Sequence, residues 1–198
     1  MSAPKPSEKE ELPTLSFDDA RAFDAWLAEH HASSRGAWLA LAKKGSSVAS
    51  ITYAEAIEVA LTWGWIDGQK RAFDASTWRQ KFTPRGKKSL WSKINRKKAL
   101  ALIAEGKMKP SGLAEVERAK GDGRWKAAYD SPSTATVPSD LAAALEKSAR
   151  AHDFFATLDS RNRYAILWRI QTAKKPETRA RRIAELVAKL AKGERLHD

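Results

Sequence analysis

Two short stretches hold the side chains with most chemistry to offer. In Trp65-Ile66-Asp67-Gly68-Gln69-Lys70-Arg71, an acid, an amide and a guanidinium recur at every second position. On an extended strand that spacing puts Asp67, Gln69 and Arg71 on one face, with Trp65 at the head of a polar pocket. Three hydrogen-bonding groups on one face need solvent or polar partners, and a ligand is one such partner. In Thr83-Pro84-Arg85-Gly86-Lys87-Lys88-Ser89, Arg85 offers a bidentate fork and Lys87 and Lys88 offer point charges. A basic turn of this kind before a helix N-terminus suits an anion, because free backbone donors, helix dipole and cations agree in sign. The commoner meanings are bland: a solvated basic turn for residues 83–89, and core packing for Trp63.

Other chemistries find less support. Trp78, Phe82 and Trp91 are interleaved with Arg79, Lys81, Arg85, Lys87 and Lys88, a mixture that could stack on bases and pair with phosphates. Strand periodicity, however, turns Trp78 and Phe82 away from Arg79 and Lys81, and no helix-turn-helix, zinc-finger or RNA-recognition signature is present. The histidines His30, His31, His152 and His197 show no metal-binding spacing. There is no GxSxG elbow and no Walker loop. With no cysteine there is no disulfide, thiolate metal site or Cys nucleophile. No catalytic residue, metal site or cofactor is expected.

The elements that must position these residues follow from periodicity. Ser16 caps a helix bearing Phe23, Trp26 and Leu27, and Ser33-Ser34-Arg35-Gly36 stops it. Ala37–Ala42 is nearly all apolar and reads as a strand buried on both faces. Thr52 and Glu55 form a capping box for a helix that runs to Trp63, and Gly64 ends it. Alternation resumes through Ala72 and again from Thr77 to Thr83, around Asp74-Ala75-Ser76, as a β-hairpin. From residue 89 the signals are helical, apart from a loop-like stretch from Arg124 to Pro138 that Trp125 and Tyr129 are expected to anchor. Ser89 or Ser92 caps a helix ended by Gly106, and Ser111 starts another that stops at Gly121. Further helices begin at Pro138-Ser139-Asp140 and near Ala151. Asp159 or Ser160 caps a helix with Tyr164, Leu167 and Trp168 on one face, and the last begins at Pro176.

The fold class is therefore α+β: a small mixed sheet with packed helices, then a helical C-terminal half. Residues 1–13 form a flexible tail, 14–88 the α+β part and 89–198 the helical module, together one compact unit. The 198 residues and 42% hydrophobic content suffice for a real core. The net charge of +12 is concentrated. Residues 69–104 carry eleven basic and one acidic side chain, and residues 161–198 carry eleven basic against four acidic. Such blocks attract anions through a salt-sensitive field, or simply keep the protein soluble. No apolar run spans a bilayer and no secretion signal opens the chain, so a cytoplasmic protein is expected.

Three segments, TYAEAIEVALTWGWIDGQK, FTPRGKKSLWSKIN and SRNRYAILWRIQTAKKPETRARRIAELVAKLAKGE, together resemble the bacterial YdeI/OmpD-associated family, whose C-terminal module is named for bacteriocin protection. The resemblance runs from about Leu12 onward. It implies an α+β N-terminal part, a helical C-terminal module and a role in tolerance of cationic antimicrobial peptides or bacteriocins. It brings no catalytic residue set and no cofactor.

These readings converge on a non-enzymatic stress-tolerance protein. It would bind an anionic small molecule or protein partner through Trp65, Asp67, Gln69, Arg71, Arg85, Lys87, Lys88 and Ser89. The alternatives are an enzyme with Asp67 as acid/base in a pocket, and a non-specific nucleic-acid-binding protein whose affinity falls steeply with salt.

Overall fold

The computed structural model describes residues 11–197; the first ten residues of the expected tail lie outside them. Eight helices and a four-stranded mixed sheet are present among the described residues, an α+β fold. The chain divides into two compact units. Among the described residues the first comprises 11–89 and 97–122, the second 90–96 and 123–197.

In the first unit the order is β1 (Thr14–Leu15), α1 (Ala20–His30), β2 (Ala37–Ala42), α2 (Tyr53–Thr62), β3 (Trp65–Ala72) and β4 (Thr77–Pro84). Most of α3 (Lys93–Ala104) and all of α4 (Pro110–Gly121) complete it. The strands lie in the order β1-β2-β4-β3, with β1 parallel to β2 and the other pairs antiparallel. The two-residue β1 escapes the periodicity reading because it is too short to alternate. Residues just before it are also tied down, since the Trp38 N–H donates to the Pro13 carbonyl at 2.8 Å. Helix α1 starts at Ala20, not at Ser16, because the Asp19 carboxylate accepts the Ala22 N–H at 2.8 Å and caps it.

Local chemistry explains the other joints. Thr52 and Glu55 close the expected capping box at the start of α2. The Thr52 hydroxyl and N–H both donate to Glu55 and hold its carboxyl below the usual range. At the end of α2, Gly64 takes a φ of +77°, and a side chain there would press on Glu115 and the Ser111 carbonyl of α4. The hairpin turn is built by Asp74, which accepts the Ser76 and Thr77 N–H groups at 2.7 Å each.

The core of this unit lies on the sheet face bearing Leu39, Leu41 and Phe82, where Phe23 and Leu27 of α1 and Ala56 and Ala60 of α2 pack. Trp65 joins them at 1% exposure, its ring edge-on to Trp26 at 5.8 Å. Each side chain of this size contributes about 2 kcal/mol on full burial. Helix α4, which the sequence reading grouped with the helical half, packs with this unit. Gly112 sits so close to the end of α2 that an added Cβ would overlap the Thr62 carbonyl.

The second unit holds α5 (Ser139–Glu146), α6 (Ala149–Ala156), α7 (Ser160–Gln171) and α8 (Pro176–Ala191). Ser148 and Asp159 cap α6 and α7, and Pro176 occupies the first turn of α8. Leu141, Phe155, Ile166, Ile170, Ile183 and Leu186 are among the side chains of its core. Arg179 of α8 fastens α5 through a two-pronged bond to Asp140, at 2.6 and 2.8 Å, and also donates to the Ile170 carbonyl.

Candidate functional site

The expected Asp67/Gln69/Arg71 row is not a row. Asp67 pairs with Phe82 and Lys70 with Gln80, so Gly68 and Gln69 together oppose the single Lys81 in a β-bulge. The extra residue reverses the alternation beyond it. Asp67 stays on the helix-covered side and accepts the Tyr53 hydroxyl at 2.7 Å. Arg71 passes to the other side of the sheet, opposite Arg79, and donates to Gln69 at 3.3 Å. Alternation read along one strand cannot register an insertion relative to its partner.

The remaining candidates separate further. Trp65 is packed in the core and donates its indole N–H to the His31 carbonyl at 3.3 Å. Arg85 is 4% exposed, not displayed on a solvated turn. Its N–H donates to Gly64 at 3.0 Å, and its carbonyl accepts from Arg118. Lys87 and Lys88 are exposed on the following turn, where the Ser89 hydroxyl already takes the Gly86 N–H at 3.0 Å. Helix α3 begins four residues later, at Lys93, with Ser92 accepting the Asn95 N–H, so the turn and the helix's free donors are separated in sequence. None of these eight residues lines either cavity described next.

A different site has the form of a ligand pocket. In the second unit a cavity of about 570 Å³ is lined by Tyr129, Tyr164, Trp168, Arg161, Arg169 and His197, with Pro132, Ser160 and Ala165 between them. Helix geometry supplies most of one wall. Positions 160, 161, 164, 165, 168 and 169 follow the i, i+4, i+8 repeat and form one stripe of α7. The opposite stripe, Asn162, Ile166 and Ile170, is buried. Leu167 also goes to the core, so the face that periodicity assigns to Tyr164, Leu167 and Trp168 is divided between core and cavity.

The other wall is held by backbone hydrogen bonds. Tyr129 pairs with the segment before α3, donating to the Trp91 carbonyl at 3.0 Å and accepting from Lys93 at 2.8 Å. Its ring meets Trp168 edge-on at 6.4 Å. Gln171 bonds both the N–H and the carbonyl of Asp130, and the Tyr164 hydroxyl donates to that carbonyl at 2.9 Å. Burial, with the nearby Tyr129 and Asp130, pushes the Tyr164 phenol up to about 12, so it is a neutral donor at physiological pH. Trp168 is 39% exposed at the mouth, beside the two arginines. The cavity thus offers rings for an apolar body and guanidinium groups for an anionic end.

A smaller cavity of about 350 Å³ in the first unit is lined by Asp24, Glu58, Lys107 and Lys109, among others. Its acids are occupied: Asp24 accepts from Trp63 at 2.7 Å and Glu58 from Lys98 at 2.5 Å. Among the described residues no group of three or more His, Asp or Glu side chains is placed to hold a metal ion, and no helix is long and apolar enough to cross a membrane.

Sequence reasoning missed the 570 Å³ cavity because it read Tyr129 as the anchor of a loop and placed Trp168 with Tyr164 and Leu167 on one helix face. The available signal was the tyrosine, tryptophan and arginine side chains recurring on one stripe of α7.

Comparison with known proteins divides the chain at a similar place. Residues 15–115 match the family of a domain of unknown function, DUF8412. Residues 134–193 match the module described as bacteriocin-protection, YdeI or OmpD-associated. That second match includes α7 and the Tyr164–Trp168 stripe. No curated protein and no solved structure shows significant similarity to the chain.

Proposed function

We propose that this chain, which belongs to the DUF8412 family through residues 15–115 and carries a YdeI/OmpD-associated module at residues 134–193, is a non-enzymatic binding protein. Its ligand is a small molecule with a ring or other flat apolar body and an anionic end, held in the cavity on α7. Its biological role is tolerance of bacteriocins or other cationic antimicrobial peptides, as the name of the module suggests.

The observation that carries this reading is the juxtaposition of Tyr129, Tyr164 and Trp168 with Arg161 and Arg169 around one cavity. The rings provide apolar area with little rotamer entropy to lose, and the guanidiniums select for negative charge. Charge also decides against direct capture of the toxin. A chain of net charge +12 repels a cationic peptide, so protection would act through an anionic ligand and not by sequestration.

The test uses 8-anilinonaphthalene-1-sulfonate, an aromatic anion that fluoresces on entering apolar sites. Saturable binding to the folded protein is expected, weakened about tenfold or more by Trp168→Ala and by the double change Arg161→Ala/Arg169→Ala. A strain lacking the gene should become more sensitive to cationic peptides, and the wild-type gene, but not Trp168→Ala, should restore it. If the dye binds all forms equally, or complementation ignores Trp168, the reading is wrong.

A further inference from the structure

We propose a second, separate ligand site in the first unit: a phosphate-binding site on the sheet face opposite α1 and α2, formed by Arg71 and Arg79 and taking the phosphomonoester of a small soluble molecule. It does not depend on the α7 cavity.

The site exists because of the bulge. Without the extra residue at Gly68-Gln69, Arg71 would share the helix-covered face with Asp67; with it, Arg71 stands directly across from Arg79. Like charges at facing positions of a strand pair repel. The surroundings nevertheless hold both groups in place. Each guanidinium carbon lies 4.9 Å from the centre of the same Trp38 ring. Gln69 accepts from Arg71, and Thr14 accepts from Arg79 at 3.3 Å. Two cations stacked on one indole are oriented before any ligand arrives, which lowers the entropy lost on binding.

The charge of the described residues around this pair is not balanced. Among the described residues the carboxylate within reach is Glu11, 3.5 Å from Arg79 and 71% exposed, while Lys81, paired with Trp38 on the same face, adds another cation. One exposed carboxylate against two arginines and a lysine leaves room for a dianion, and a phosphomonoester carries close to two charges at neutral pH with three acceptor oxygens. Guanidinium forks match such oxygens in pairs. A nucleic-acid strand fits less well. Trp38 is only 4% exposed beneath the guanidiniums, and the Arg79 group also stands 5.5 Å from the centre of the Phe73 ring. Trp38 thus offers a base no open face, and Phe73, at 50% exposure, offers a single ring. Successive bases find no continuous stacking platform here, and what the arrangement recognises is the phosphate itself.

The experiment titrates the full-length protein with inorganic phosphate and follows ³¹P line width, at fixed ionic strength held with chloride. Saturable broadening is expected for the wild type, with a loss of about tenfold or more in affinity for Arg71→Ala and for Arg79→Ala. Arg79→Lys, which keeps the charge but not the fork, should also weaken binding, whereas Glu11→Gln should strengthen it by removing the competing carboxylate. Lys192→Ala, on the second unit, serves as a control for net charge and should change nothing. Near-ultraviolet circular dichroism confirms that each variant keeps its tryptophan environment. Equal affinity in wild type and Arg71→Ala/Arg79→Ala overturns the site, as does full retention by Arg79→Lys. Binding of a single-stranded oligonucleotide without a terminal phosphate, but not of inorganic phosphate, would replace it with a nucleic-acid surface.

Discussion

Asn162 grips His197 from both sides of its backbone: the Asn162 carbonyl oxygen accepts the His197 N–H at 2.9 Å, and its amide donates to the His197 carbonyl at 3.1 Å. The same oxygen accepts the Leu196 N–H at 3.0 Å, and the amide also donates to Asp159, the cap of α7. At 2% exposure Asn162 is fully satisfied, and it seats His197 in the wall of the 570 Å³ cavity. Replacing it with alanine strands two backbone donors and one carbonyl. Asn162→Ala should cost about 2–3 kcal/mol, seen as a lower urea midpoint, and should expose the segment after Gly193 to protease. Asn162→Asp keeps the acceptor but not the donor and should fall between the two.

The Arg179–Asp140 pair gives the second unit an acid limit. The Arg179 guanidinium holds the Asp140 carboxyl below its usual range. A carboxyl whose folded value is depressed adds stability that is complete above the unfolded value, near 4, and is lost as pH falls through the folded one. Asp140→Asn should therefore lower the melting temperature at pH 7, and the difference should shrink as acid protonates the lowered Asp140 carboxyl. The side chain is 44% exposed, so screening limits the pair to about 0.5–1 kcal/mol. A melting-temperature difference independent of pH would show that the charge is not the cause.

Tyr164 sets the alkaline counterpart. Its phenol, pushed up to about 12 mainly by burial, favours the neutral form in the folded chain. The stability it adds is complete below the unfolded value, near 10, and fades as pH rises toward 12. Spectrophotometric titration should find one tyrosine ionising later than the others, and Tyr164→Phe should abolish that late step. The same variant tests whether the cavity needs the Tyr164 hydroxyl bond to Asp130 to keep its shape.

Gly112 is the point where α4 meets the end of α2. The Thr62 carbonyl, which accepts the Lys109 N–H at 3.0 Å, leaves no room for a Cβ at Gly112. On an exposed helix, Gly→Ala would stabilise by up to about 1 kcal/mol. Here Gly112→Ala should destabilise by about 1–3 kcal/mol, read as a fall in the denaturant midpoint. A neutral or stabilising result would mean that α4 shifts at little cost.

What could be read from the sequence was whatever local chemistry decides. The capping box of Thr52 and Glu55, the Asp74 turn, the Asp159 cap and the prolines and glycines at helix ends all act within four residues, and each element they bound was legible. The bulge was not, because alternation from Asp67 to Arg71 looks the same with or without an extra residue relative to β4. Nor was the meeting of Asn162 with His197, 35 positions apart. The placement of Arg85 in the core defeated a rule of thumb, since a basic Pro-Arg-Gly turn normally faces water. The α7 cavity needed Tyr129, brought from a loop that carries no periodicity at all.

The Gly68-Gln69 bulge has a further consequence for the solubility of the chain. β3 is an outer strand of the sheet, and its backbone offers unpaired donors and acceptors to any passing extended segment. The extra residue kinks that row, and Lys70 and Arg71 stand beside the kink as charges that a second strand would have to bury. Straightening the row by deleting Gly68 would present a flatter border, with self-association through edge-to-edge pairing as the expected failure.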